Sequence, residues 1–429
     1  MRVLWFTNVT FPEAGSDFGG DPTGSGGWMW GLADALQRHS DVSLGVATAC
    51  RGGKNMRVER NGVAHYRIAV PESRFMRVTR MVPDRDFILR CKDVVRSFQP
   101  DLIHVHGTEQ TYGLLTADGH LMHPSVVSLQ GVLRGILPHY FGTMSFAELC
   151  RCHGMMNLAF RQGIFFEWLR FRRRCAVEDR ILKGFRHVIG HTLWDRAQLR
   201  LANPDAVYHG YHEALRPSFY REQEAVPKRP RPTIVATYGG SPLRGTEVLL
   251  RALKTVRAAL PAVELRLARG EFRRSRWYRD YWTYIDRFIL ENGLSDAVTL
   301  LPPLDAGQYA MEMRQAHAFV LPSLMENGSN TLLEAMILGT PSVVSFVGGT
   351  TSYVADEETA LCFPAGDHAV LAEQLIRLLS DGDLARRISI QAGEATRKRN
   401  DPERIAKRVM EIYGAVVQDH GGREDTGPR

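Results

Sequence analysis

The chain has 429 residues, 44% of them hydrophobic and 24% charged, a balance that excludes the disordered and fibrous classes and provides for an ample core. A formal net charge of +7 favours anionic partners such as nucleotide phosphates, nucleic acid or an anionic membrane surface, without choosing among them. No apolar run approaches the roughly 20 residues needed to cross a bilayer, and the six scattered cysteines are expected to be reduced thiols, because "CRCH" at Cys150–His153 lacks the spacing of a zinc knuckle.

The chain opens on a short buried strand at Val3–Phe6, entered with no signal-peptide core, so a cytoplasmic location is expected, free or on the inner membrane face. A long Gly/Pro/Ser/Asp stretch follows, then a helical pattern from Trp28 to Leu36 with Leu32, Ala33 and Leu36 on one face. Strand patterns recur at "VSLGVAT", "PDLIHVHG" (Pro100–Gly107), "PSVVSLQG" (Pro124–Gly131) and "HVIGHT" (His187–Thr192). Strands alternating with helices predict a parallel, doubly wound sheet. Arg134–Phe185 breaks this alternation and is rich in arginine and aromatics. It reads either as a solvated helix face beside a core stripe, or as an interfacial element. In the second reading Phe165, Phe166, Trp168 and Phe171 face lipid, and Arg170, Arg172, Arg173 and Arg174 face anionic headgroups.

"YREQEAVPKRPRPT" carries three prolines and mixed charge and reads as a linker. The alternation then restarts with "TIVATY", "GTEVLLRALKTVRAAL", "VELRLARG" and "AVTLLPPL", continues through "AFVLPS", "NTLLEAMILG" and "PSVVSF", and closes on two helical patterns. The expected organisation is a first α/β domain over residues 1–219, a linker over 220–232 and a second α/β domain over 233–403. A helix over 404–417 is expected to pack back on the first domain, ahead of a disordered tail over 418–429. Such sheets take ligands outside the carboxyl ends of their strands.

Within "AFVLPSLMENGSNTLLEAMILGTPSVVSFVGG" (Ala318–Gly349), strand, loop and helix follow in order. Glu326 is expected in the loop and Glu334 in the first turn of the helix that begins at Asn330. The same separation recurs at Glu403 and Glu411 within one amphipathic helix, so spacing alone decides nothing. The loop does more. Gly328, Ser329, Asn330 and Thr331 offer backbone N–H groups and short donors at a helix start, which suits a phosphate or diphosphate. One turn farther in, Glu334 could accept hydrogen bonds from a ribose diol. The plainer reading is that Thr331 and Glu334 form a capping box and nothing more.

These residues resemble the donor-binding signature of family 4 retaining glycosyltransferases of the GT-B fold, of the bacterial polysaccharide-assembly type. The likeness extends to "GSGGWMWGLADAL" (Gly24–Leu36), "PDLIHVHG", "GGSPLRGTEVLLRAL" (Gly239–Leu253) and "ETALCFPAGD" (Glu358–Asp367), in the family's order. It implies two Rossmann-like domains facing each other across a cleft. It also implies retaining transfer of a sugar from a UDP- or GDP-linked donor to a glycan or lipid-linked glycan acceptor, with no metal or other cofactor and no nucleic-acid partner. By position, Glu334 would hold the ribose, Glu326 the donor-sugar hydroxyls, and Asn327, Gly328, Ser329, Asn330 and Thr331 the diphosphate. Arg244 would neutralise the leaving group, in place of the family's usual lysine. Gly26 and Gly27 would allow close backbone approach, and Gln130 stands where many members carry a histidine. His106 would contact donor or acceptor, or serve as a hydrogen-bonded structural histidine.

The chain also departs from the pattern. "YGGSPL" offers no cation where the family often has an upstream arginine, and His209 replaces a common Asn-Gly pair. "DRD" (Asp84–Asp86) and "DGD" (Asp381–Asp383) match a metal-binding string without its setting and read as loop charges. A Rossmann oxidoreductase is disfavoured by Met29 at the third glycine position. An epimerase-like GT-B enzyme, or an inactive nucleotide-sugar-binding protein, stays open as the alternative.

Overall fold

The computed structural model of the chain describes residues 1–19, 26–38, 41–221, 226–269 and 279–424. Gly24 and Ser25 of the glycine-rich turn, residues 222–225 of the expected linker and residues 425–429 of the expected tail lie outside them. The chain divides into two compact units. The first comprises Met1–Gly135, Arg172–Pro217 and Asn400–Arg429, and the second Ile136–Phe171 and Ser218–Arg399.

Among the described residues the first unit holds an eight-stranded sheet ordered β3-β4-β2-β1-β5-β6-β7-β8. Its strands are β1 (Arg2–Thr7), β2 (Ser43–Arg51), β3 (Met56–Arg60), β4 (Val63–Val70), β5 (Leu102–His106), β6 (Ser125–Ser128), β7 (His187–Gly190) and β8 (Val207–Gly210). β3 and β4 pair antiparallel, and the other neighbours are parallel. The β3–β4 hairpin turns at Asn61 and Gly62, both at positive φ, as a two-residue Asn-Gly turn requires. Central strands read as continuous apolar runs because helices cover both faces. Leu4 and Phe6 of β1 pack with Phe87 and Cys91 on one side, while Val3 and Trp5 meet Leu32, Leu36, Ile405 and Val409 on the other.

The helix Pro402–Glu424 covers that second face through Ile405, Val409, Ile412, Tyr413 and Val416. It extends to Glu424, so residues 418–424 are helical rather than disordered. Tyr413 explains part of its hold. Its hydroxyl accepts from Trp5 Nε1 at 3.0 Å and meets His104 Nδ1 at 2.7 Å. Burial pushes His104 down to about 3, so the ring is neutral and its polar atoms depend on Tyr413 and Ser128. Tyr413→Phe strips both Trp5 and His104 of a buried partner. It should cost about 2–4 kcal/mol, read as a lower urea midpoint at unchanged m-value.

The second unit holds, among the described residues, a six-stranded sheet ordered β11-β10-β9-β12-β13-β14. Its strands are β9 (Thr233–Tyr238), β10 (Glu264–Arg269), β11 (Val298–Leu301), β12 (Ala318–Leu321), β13 (Ser342–Ser345) and β14 (Leu361–Phe363), all parallel. Residues 136–171 belong here and not to the domain 1–219 expected from sequence. Met144, Leu149, Cys152 and Ile164 join the core of Leu249, Leu253, Tyr281 and Tyr284. Glu148 is fixed there by Arg251 Nη2 at 2.6 Å and the Tyr284 hydroxyl at 2.7 Å.

The aromatic segment packs in the same region. Phe165 and Trp168 each lie 5.8 Å from Phe141, Phe171 lies 5.2 Å from Tyr140, and Phe166 stacks on His153. These contacts leave all four rings half-buried. Both Asp-x-Asp strings are helix N-caps: Asp84 accepts from Phe87 N and Asp381 from Leu384 N, which a loop reading of those charges missed.

Candidate active site

In each sheet the chain reverses its order of strand addition once. In the second unit β10 and β11 lie on one side of β9 and β12 to β14 on the other, so the switch falls between β9 and β12. A crevice opens at the carboxyl ends of strands there, because the following loops leave in opposite directions. The loop after β9 carries Arg244 at the end of a single 3-10 turn, Pro242–Arg244. Gly245 follows at φ 66°, and a side chain on it would run into the Pro322 carbonyl of the loop after β12. That close approach is clasped by Leu324 N donating to Leu243 O at 2.8 Å.

The clasp brings Arg244 and Glu326 together at 2.5 Å. The arginine side chain is 47% exposed and the glutamate 11%. Glu326 is held from behind by Gly349 N donating to its carbonyl at 2.8 Å. The helix Asn330–Ile337 then begins with Ser329 as its N-cap, whose hydroxyl accepts from Leu332 N. This corrects the expected capping box: Thr331 lies inside the helix, and Glu334 is its fifth residue, beyond the first turn. Glu334 is 5% exposed, at the level of the second turn.

The Ser329 N–H is occupied as well, donating to the Tyr353 hydroxyl at 3.0 Å. The backbone N–H groups of Gly328, Asn330 and Thr331 have no partner among the described residues. Asn330 Oδ1 is buried with no partner among the described residues, and Asn327 is buried beside it in sequence. Unspent donors at the positive end of a helix, with a guanidinium across the loop, can hold a dianionic group. Sequence reasoning missed Tyr353 as the residue that orients this turn, and the paired Gly348-Gly349 was the signal available for it.

In the first unit the switch falls between β1 and β5. Gly26 stands at φ 82° as the N-cap of the helix Gly27–Gln37. Gly27 is covered by the aliphatic stem of Arg216, where a side chain would collide with it. A cation therefore stands at the glycine-rich turn, a residue that sequence reasoning did not select. His106 ends β5 and packs 4.4 Å from Trp5 and 5.5 Å from Trp28. Both of its ring nitrogens are buried without a partner among the described residues. Burial, with His104 and His191 nearby, holds its pKa well below the ordinary value, leaving a neutral ring with one donor and one acceptor. The hydrogen-bonded structural histidine of this strand is His104. Gln130 follows β6 beside Gly107.

Residues 221–395 match the family model described as "Glycosyl transferases group 1". A D-inositol 3-phosphate glycosyltransferase of Pseudarthrobacter chlorophenolicus is 29% identical over 266 residues, covering 58% of this chain and 61% of that relative. Sucrose-phosphate synthase of Thermosynechococcus elongatus superposes with a TM-score of 0.73 at 19% identity, over 98% of this chain and 100% of the other. Residues 221–395 thus resemble the group 1 glycosyltransferases, and the chain has the GT-B fold. Anabaena HepE in complex with UDP-glucose shares that fold, with a TM-score of 0.68 at 13% identity over 97% of this chain and 100% of the other. The chain spans less than two thirds of the length of the Pseudarthrobacter relative, and the match to the group 1 family covers the second unit almost alone. No helix among the described residues of this GT-B chain is long and apolar enough to cross a membrane.

Proposed function

We propose that the protein transfers a sugar from a UDP- or GDP-linked donor to an acceptor hydroxyl with retention of anomeric configuration, in the assembly of a cell-surface polysaccharide or lipid-linked glycan. The observation that carries this reading is the juxtaposition of Arg244 and Glu326 with the start of the helix Asn330–Ile337 at the switch point of the second sheet. The chemistry asks for stabilisation of negative charge growing on a departing diphosphate beside a cationic sugar. The N–H groups of Gly328, Asn330 and Thr331 and the Arg244 guanidinium supply it without a metal ion. Glu334 takes the ribose diol and Glu326 the sugar hydroxyls. Two relatives support the reading: HepE is described with UDP-glucose, and the Pseudarthrobacter relative carries D-inositol 3-phosphate in its name.

On entry of the donor, Arg244 exchanges Glu326 for phosphate oxygens. An anionic membrane surface is the further partner of this reading, met by the exposed Arg170, Arg172 and Arg173. Arg174 leaves that set, since it is half-buried and donates to Glu109 O at 3.2 Å.

A panel of UDP- and GDP-sugars tests the proposal, scored by nucleotide release and thermal shift. One donor should raise the melting temperature and release its nucleotide faster when acceptor is added. A panel with neither effect rejects a transferase, and a thermal shift with no release under any acceptor leaves a nucleotide-sugar-binding protein. The anomeric proton signal of the product decides retention separately, with inversion as the contrary result.

A further inference from the structure

The helix Asn330–Ile337 starts in a way that leaves one backbone donor in need of an outside partner. Ser329 is its N-cap, and in a capping box the third helical residue reaches back with a Glu or Gln side chain to the N-cap N–H. Here that residue is Leu332, which has no acceptor to offer. The Ser329 N–H turns instead to the Tyr353 hydroxyl. The choice of partner has a chemical consequence. A carboxylate in that place would set negative charge beside the N–H groups of Gly328, Asn330 and Thr331, whereas a phenol accepts the same hydrogen bond without adding any.

Tyr353 is brought there by the turn Gly348–Ser352, which is bound to the same loop at a second point. Gly349 N donates to Glu326 O at 2.8 Å, and a side chain on Gly348 would run into that carbonyl. Thr350 closes the turn: its hydroxyl accepts from Val347 N at 3.0 Å and its carbonyl from Tyr353 N at 3.1 Å. These bonds fix the backbone of Tyr353, and its ring is held by another element. The Arg399 guanidinium carbon lies over that ring, 4.9 Å from the centroid.

Arg399 ends the helix Gly382–Arg399. That helix runs antiparallel to Asn330–Ile337, because Ser389 Oγ donates to Gly339 O at 2.5 Å while Gly393, farther along, stands opposite Met336 O. Continued in the same register, its last turn comes level with the start of Asn330–Ile337. A basic residue in the last turn of a helix is ordinarily explained by the helix dipole. Arg397 and Lys398 are exposed and fit that explanation, but Arg399 is half-buried and lies on the Tyr353 ring.

We propose that Arg399 is a positioning residue of the donor site: it holds the Tyr353 ring, so that the Tyr353 hydroxyl keeps the Ser329 N–H and the neighbouring N–H groups stay aimed at a diphosphate. The attraction of a guanidinium for a tyrosine face supplies the hold without bringing a carboxylate to the loop. The inference rests on the donor-site reading for its ligand, while the hold on Ser329 does not.

The test has two arms, both on the full chain. In the first, amide exchange of the ligand-free protein is followed at Ser329 and Leu332. Tyr353→Phe should speed exchange at Ser329 about tenfold, Arg399→Gln about three- to tenfold, and Arg399→Lys, which returns a cation to the ring, less. Leu332 N, held by the Ser329 hydroxyl, should keep its protection in all three variants, which separates loss of the tyrosine from general loosening. In the second arm inorganic diphosphate is titrated calorimetrically. Arg399→Gln and Tyr353→Phe should each weaken it about three- to tenfold. The double variant should lose no more than Tyr353→Phe alone, because the arginine acts through the ring. Unchanged exchange at Ser329 in Arg399→Gln overturns the inference, as do losses that add in the double variant. If Ser329 responds while the wild type binds neither diphosphate nor UDP, the donor reading fails and Arg399 stands as the residue that holds Tyr353 on Ser329.

Discussion

Replacing Glu334 by alanine is expected to weaken UDP or GDP binding about ten- to hundredfold. A buried carboxylate accepting from a ribose diol makes charge-assisted hydrogen bonds worth about 1.5–3 kcal/mol each, and about 1.4 kcal/mol is a factor of ten. At 5% exposure the group sits where water competes poorly for it. Glu334→Gln separates charge from shape: it keeps the packing, retains one acceptor oxygen and should recover part of the loss. The ribose-free analogue, inorganic diphosphate, should bind wild type and Glu334→Ala alike. Equal loss of both ligands would make Glu334 a structural residue of the helix and not a ribose ligand. Calorimetric titration reads all four combinations.

Arg244→Ala is expected to act on the other quantity. Charge on the diphosphate grows as the glycosidic bond breaks, so a guanidinium across the loop works hardest in the transition state. Turnover should fall about a hundred- to a thousandfold, while donor affinity changes less than about tenfold. Arg244→Lys should regain part of the rate, since the charge returns without the two-pronged grip on phosphate. The variant also releases Glu326 from its ion pair. A double variant with Glu326→Gln should therefore not restore turnover if the arginine serves the diphosphate. Restoration would mean that the arginine only neutralises Glu326.

Much of the fold was legible because parallel strands covered on both faces leave continuous apolar runs, such as Val3–Phe6 and Ala318–Leu321, the second closed by Pro322. The hairpin at Asn61-Gly62 carried a readable turn signal and was passed over in favour of the helix alternation. The excursion of residues 136–171 into the second unit could not be read from pattern. Membership there is decided by long-range pairs such as Glu148 with Arg251 and Tyr284, which have no local signature. The aromatic segment is ambiguous for a related reason. A run of Phe, Trp and Arg looks the same whether its rings meet lipid or meet Tyr140 and Phe141.

Within the site, residues that are close in sequence were found and residues brought in from elsewhere were not. Glu326, Asn330 and Glu334 follow from one strand-loop-helix. Tyr353 on the Ser329 N–H and Arg216 over Gly27 do not. Sequence also placed Glu334 a turn too early. The plainer alternative was a Thr331–Glu334 capping box, whereas the Ser329 hydroxyl, one residue before the helix, accepts from Leu332 N.

The account turns on where the nucleotide sits, and amide hydrogen exchange in the presence and absence of UDP or GDP reads this most directly. Protection should rise over residues 326–334, centred on the unspent N–H groups of Gly328, Asn330 and Thr331, and should vanish in Glu334→Ala at the same ligand concentration. Nucleotide that protects the start of the helix Gly27–Gln37 while leaving residues 326–334 unchanged would contradict the assignment of the donor site.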